Sequence, residues 1–195
     1  MTAPPDSAAS APATPPADIL FVFAGAEHRK RFALHAWRRG RAATLVMSVA
    51  RFEWRRVPSL GLPGDGGLVG LVEATPPADR LFQVVVTETS VEARRVEKGR
   101  WGTWSEAVGI AALARERGAS SLLVCTSREH LPRALLSVRR ALSRTGGPPC
   151  VVTGIAAPAP DDSPVGWAAL FLEGVKLVVY AAGIPSIFDR GRAAR

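Results

Sequence analysis

The sequence predicts an α/β domain built on a doubly wound, mostly parallel sheet, and three observations lead there. Short, mainly apolar runs at 19–23, 43–47, 121–125 and 150–154 lack a polar face, as strands covered on both sides must. Segments with helical spacing fall between them, so strands and helices alternate. Gly40 and Gly118 close two of those helical segments, and Gly146-Gly-Pro-Pro149 breaks the chain before the last run. A length of 195 residues suits one such domain.

Taken in order, the run 19–23 ends at Ala24-Gly25, and 27–39 follows as a helix with Phe32, Leu34, Ala36 and Trp37 at helical spacing. The run 43–47 completes a strand–helix–strand unit. Residues 58–79 hold five Gly and four Pro and are expected to be mostly loop. Residues 81–87 and 91–97 are β-rich and separated by Glu88-Thr-Ser90, which predicts a hairpin. The stretch 58–97 therefore reads as an irregular insertion carrying a hairpin. Helices are expected at 103–117 and 131–144, the second with Pro132 in its first turn, where a missing N–H is harmless. The strand 121–125 lies between them, and 150–154 follows. Together these give a Rossmann-like frame.

The segment 165–184 is the most apolar, yet Glu173 and Lys176 lie near its middle. Each would cost ~2.5–3.5 kcal/mol at a bilayer centre, so the expectation is a helix on the sheet with Phe171, Val175 and Val178 toward the core, and no transmembrane span. Residues 1–17 are rich in Ala and Pro and are expected to be a disordered lead, without the charged and apolar regions of a signal peptide. The organisation is then a lead at 1–17, one domain at 18–184 and a basic tail at 185–195.

Composition narrows the function classes. Hydrophobic residues make up 47% and charged residues 22%, which excludes a wholly disordered chain. Lys and Arg number 25 against 17 Asp and Glu, a net charge of +8. Arginine dominates that excess in a chain rich in Ala, Pro and Gly, a pattern that coding bias produces. Nucleic-acid binding would draw on Arg38, Arg39, Arg41, Arg139, Arg140 and Arg144, but no aromatic-rich sheet face or reading motif accompanies them, and it is not favoured. Cys125 and Cys150 are too few for a disulfide framework or a four-cysteine zinc site, no metal site is expected, and both are read as packing residues. Gly25 lacks the further glycines of a dinucleotide fingerprint, and no phosphate-loop, zinc-protease or nucleophile-elbow pattern occurs.

Ligands in such a fold sit beyond the carboxyl ends of the strands. Gly25 follows the first run and Ser48 the second. Thr126, Ser127, His130 and Arg133 follow the strand at 121–125. The two hydroxyls stand where a helix N-terminus favours an anion, and His130 and Arg133 share a helix face. Imidazole moves protons near neutral pH and guanidinium holds phosphate or carboxylate in a fork. Thr103 and Glu106 fit a capping box, and Glu106 at the mouth of a site also fits a base. Gly25, Ser48, Glu106, Ser127, His130 and Arg133 are expected to line one cleft.

The order of these pieces resembles the ElyC/SanA/YdcF family of bacterial domains, over roughly residues 18–183. Its most specific part is Thr126-Ser-Arg-Glu-His-Leu-Pro-Arg-Ala134; the others are the strand ending at Gly25, Arg31, Ser48, Glu97 six residues before Thr103, Glu106, and Leu172-Glu-Gly-Val-Lys176. Two departures stand out: Ser48-Val-Ala50 replaces the family's Ser-Gly-Gly, and Ala107 stands where Asn often follows the helix Glu. The resemblance implies a polar cleft and a link to cell-envelope biogenesis. The expectation is an enzyme or a ligand-binding domain for an anionic small molecule: a phosphate-bearing envelope precursor or a nucleotide-like ligand. Arg133, Arg31, Ser48, Thr126 and Ser127 would hold the ligand together with Gly25, Glu97 and Thr103, while His130 and Glu106 act as acid and base. The alternative is a non-catalytic regulator or scaffold of envelope assembly. A cytoplasmic location, or peripheral attachment at the membrane, follows from the same reading; no cofactor is identified.

Overall fold

The computed structural model describes residues 15–159 and 167–183, side chains within 167–170 excepted. Strand β1 (Ala17–Val22) lies at the middle of the sheet, where every residue from Ile19 to Val22 is essentially inaccessible. Helix α1 (Glu27–Arg38) leads to β2 (Ala42–Ala50), which pairs with β1 in parallel. Helix α2 (Leu68–Ala74) precedes β3 (Leu81–Val86) and β4 (Val91–Arg95). Helix α3 (Gly102–Glu116), β5 (Ser121–Ser127), α4 (Leu131–Thr145), β6 (Val151–Ala157) and α5 (Trp167–Ala181) complete the chain.

The described residues form a sheet of order β4-β3-β2-β1-β5-β6. Pairs β1–β2, β1–β5 and β5–β6 are parallel, and the hairpin β3–β4 joins antiparallel on the β2 side. The predicted mostly parallel, Rossmann-like α/β fold is present. The hairpin, however, is not an appendage to the frame: β3 is buried along its whole length and extends the same sheet. Residues 58–79 are not mostly loop either. Leu68 and Val72 are buried one helical turn apart, so α2 forms despite Gly70, with its side chains packed under the sheet.

Each face of the sheet has its own apolar layer. Helices α1 and α2 cover Leu20, Val22, Leu45, Met47 and Val84 on one side; α3 and α4 cover Ile19, Phe21, Val46 and Val124 on the other. The order of strand addition reverses about β1, with β2 to one side and β5 to the other, which opens a crevice at the carboxyl ends of β1 and β5. At the opposite end, Asp18 Oδ2 accepts hydrogen bonds from the amides and hydroxyls of Ser120 and Ser121 at 2.7–3.1 Å. This staple fixes the start of β5 against β1, and chiefly the Ser120 hydroxyl and amide hold the Asp18 carboxyl below its ordinary range.

Helix α5 departs most from the sequence reading. Phe171 is 75% exposed and Val178 68%, and Val175 also faces outward. Glu173 and Tyr180 are the buried residues instead. They lie two turns apart on the opposite face, so the helix docks by a carboxylate and a phenol, and its apolar stripe points away. No helix among the described residues is long and apolar enough to cross a membrane. The expected disorder of the lead falls on residues that are, up to 14, outside those described, as does the basic tail; Ala17 belongs to β1.

Candidate functional site

Gly25 makes the turn from β1 to α1 with φ +131°, a conformation that side chains disfavour. A Cβ there would stand 1.6 Å from Nη2 of Arg29, so the glycine leaves the space through which that guanidinium reaches the crevice. Arg29 is 8% exposed. Its Nη1 donates to Thr126 Oγ1 at 2.8 Å and its Nη2 to the Ala24 carbonyl at 3.1 Å. Its Nε is buried without a partner, and among the described residues no carboxylate lies within 4 Å of the guanidinium.

Glu106 enters from α3. Its Oε1 accepts the Ala24 amide at 2.7 Å, so this amide and the carbonyl bonded to Arg29 belong to one residue at the end of β1. The capping box is not formed: α3 begins at Gly102, its first turn has no side-chain cap, and Glu106 points across the crevice instead of back along the helix. Burial pushes the Glu106 carboxyl above its ordinary range; the Ser48 hydroxyl and the Ala24 amide oppose this more weakly. Ser48 Oγ, fully buried behind it, lies near enough to favour the carboxylate without completing a hydrogen bond.

The third wall is α4. Arg133 Nη1 donates to Thr103 Oγ1 at 2.5 Å and its Nε to Glu173 Oε2 at 2.9 Å, while its guanidinium lies over the Tyr180 ring. His130 Nδ1 is 2.9 Å from the same Glu173 oxygen and 3.5 Å from Arg133 Nη2; the shorter contact, to a carboxylate, favours the tautomer with a proton on Nδ1. Lys176 Nζ donates to Glu173 Oε1 at 2.7 Å. Burial disfavours the Glu173 charge, but hydrogen bonds from Lys176, His130 and Arg133 together outweigh it and lower the carboxyl to about 2.

Phe23, Ala24, Arg29, Thr103, Glu106, Thr126, His130, Arg133 and Ala134 line the resulting cleft of about 90 Å³. Five residues singled out in the sequence therefore converge: Thr103, Glu106, Thr126, His130 and Arg133. Gly25 and Ser48 stand behind the lining, one in the turn and one under Glu106. Ser127 is not on it; its carbonyl accepts the His130 amide in the turn that opens α4. Arg31 is solvent-exposed, paired with Glu27 at 2.6 Å, and outside the cleft. Glu97 is exposed and borders a different groove, between α3 and β4.

Two residues escaped the sequence reading. Arg29 shares a helix face with Ala33 and Ala36, both buried, whereas Arg31 shares one with exposed His35. Helical periodicity alone thus contained the choice between the two arginines. Glu173 had no comparable signal, because an apolar stripe on its helix pointed the opposite way. The cleft sits where ligands bind in open α/β sheets, with a buried arginine, an acid held toward its neutral form and an oriented imidazole on its walls. No family model, no curated protein and no solved structure matches the chain.

Proposed function

We propose that this cleft binds the anionic group of a small molecule, a phosphate-bearing envelope precursor or a nucleotide-like ligand. The observation that carries the reading is Arg29. Guanidinium does not lose its proton in proteins, and a buried charge without a counter-charge in contact is costly; Glu129 acts on Arg29 only through space. An anion accepting from Arg29 and from the hydroxyl of Thr126 supplies what the guanidinium lacks, in the charge-assisted geometry that arginine favours. The likeness of Thr126–Ala134 to the ElyC/SanA/YdcF pattern supports the same assignment and is the sole basis for the envelope link.

The walls also support acid–base work on the bound molecule. Glu173 orients His130 through Nδ1, and Nε2, with Glu129 Oε1 4.0 Å away, is the nitrogen that would serve a ligand; Glu106, raised by burial, is a proton donor. A regulator that only senses the anion uses Arg29 and Thr126 in the same way without needing either group. Calorimetric titration with inorganic phosphate and with adenosine monophosphate tests binding. Saturable binding that weakens about tenfold or more in Arg29→Met is expected; equal affinity in the variant, or no binding by the wild type, overturns the reading. Release of p-nitrophenol from its phosphate ester, lost in His130→Gln, identifies an enzyme; binding without turnover identifies the sensor.

A further inference from the structure

Glu97 led away from the cleft to a groove with chemistry of its own. It runs between α3 and the hairpin and measures about 240 Å³. Val96, Val108, Ala112 and Leu113 give it apolar walls, and the Arg94 guanidinium closes one side by donating to both Glu116 oxygens at 2.7 and 3.1 Å. Gln83 of β3 lines the same groove and is 2% exposed, yet its Nε2 is buried with no hydrogen-bond partner. Gly109 lets α3 approach that amide closely: a Cβ there would come 2.8 Å from Val96 Cγ1 and 3.1 Å from Gln83 Nε2.

An orphaned buried donor costs more than most hydrogen bonds are worth, so this position calls for an acceptor. The sheet does not supply it: the backbone of β3 is already paired on both sides, and Ser48 Oγ, opposite Gln83 on the same face, makes no hydrogen bond to it. Val96 and Gly109 stand beside the amide; Ser105 also lines the groove, its hydroxyl donating to the Trp101 carbonyl and accepting from the Gly99 amide, and the charged groups Arg94, Arg95, Glu97 and Glu116 belong to strand β4, the segment after it and the last turn of α3. A carboxylate driven down to Gln83 would lose its hydration and gain no buried cation in return. A neutral carbonyl oxygen loses less and satisfies the donor.

We infer that the groove between α3 and β4 is a second binding site, for a small, largely apolar molecule whose neutral amide or ketone oxygen accepts from Gln83 Nε2. Gln83 pairs in register with Ser48, so both side chains emerge on the α3 face of the sheet, and Ser48 abuts Glu106. The new site is thus a neighbour of the anion cleft and independent of what the cleft binds.

Benzamide and benzoate are suitable probes, followed by the side-chain amide resonance of Gln83 in the full-length protein. Benzamide should shift that resonance saturably, with benzoate about tenfold weaker. Ala112→Trp, which fills the groove from the exposed side of α3 without touching the amide, should abolish the shift. Gln83→Leu should reduce benzamide affinity, followed by the resonances of Val96 and Leu113, about tenfold while the fold is retained. Absence of a saturable shift, equal affinity for benzoate, or an unchanged response in a folded Ala112→Trp variant overturns the inference.

Discussion

At the amino end of β1, Asp18 receives four hydrogen bonds on one oxygen from two neighbouring serines, and those donors carry no charge that needs a further partner. At the carboxyl end of the same strand, Arg29 is buried with no carboxylate in contact and Glu129 acting on it only at longer range, Ser48 Oγ is unpaired, and Glu106 is pushed toward its neutral form. The two ends share a strand, a core and a helix layer. Their difference shows which end the fold completes by itself and which it leaves for a ligand. Buried polar groups are costly when unsatisfied, so an end that tolerates them is the end where binding can be built.

Four substitutions probe this contrast. Gly25→Ala should have the largest effect, because it combines an unfavourable φ with a Cβ driven into the Arg29 guanidinium. A loss of about 3 kcal/mol by urea denaturation is expected. Much of it should return in the double variant with Arg29→Ala, since the collision then disappears.

Asp18→Ala should follow, at about 2 kcal/mol, for the bonds lost at the satisfied end. The Asp18 carboxyl is lowered in the folded state, so its contribution is present above the ordinary value of 3.8 and fades as pH falls below it. The wild-type stability advantage over the variant should shrink accordingly in acid.

Glu173→Gln should cost about 2 kcal/mol or less and act on α5 first, raising amide exchange there before the rest of the domain. Lowered from 4.5 to about 2, Glu173 stabilises the fold above pH 4.5 and loses that contribution between 4.5 and about 2. A wild type and variant that lose stability in parallel over this window would refute the role given to the carboxylate.

Glu106→Gln is the smallest change and has the opposite sign. An acid raised by burial contributes stability below its ordinary value that is lost as pH rises through the folded one. The glutamine keeps an acceptor for the Ala24 amide and cannot ionise. The variant should therefore gain on the wild type as pH rises from the ordinary carboxylate range through the folded value of Glu106. A variant that becomes relatively less stable as pH rises would show that Glu106 is held as an anion.

Much of this contrast was legible in the sequence, and the illegible parts have physical reasons. Apolar runs and glycine closers located the strands of the parallel half, because buried strands admit few polar residues. The carboxyl-end rule then brought Thr126, His130, Arg133 and Glu106 to one place. Helix α2 was hidden by the glycines and prolines around it, whose turn chemistry outweighs a seven-residue helix in any local reading. Helix α5 was misread in orientation because Phe171, Val175 and Val178 form the stripe that usually faces a core, whereas Glu173 binds α4 through charge. Periodicity reports where apolar residues lie, not which face an ion pair has claimed. Arg133 shows the same limit: the sequence offered it as a ligand arm, and its bonds to Thr103 and Glu173 make it a brace between helices as well.

The central claim is that the buried Arg29 guanidinium, with Nε unpartnered and no carboxylate in contact, marks an anion site, and the most direct measurement is to find the anion. Tungstate, a tetrahedral dianion visible by its anomalous scattering, can be soaked into crystals of the wild type and of Arg29→Met. The account predicts a peak in the wild type within hydrogen-bond reach of the Arg29 guanidinium and Thr126 Oγ1, absent from the variant. A wild-type cleft without tungstate, or a peak unchanged when Arg29 is replaced, would contradict it.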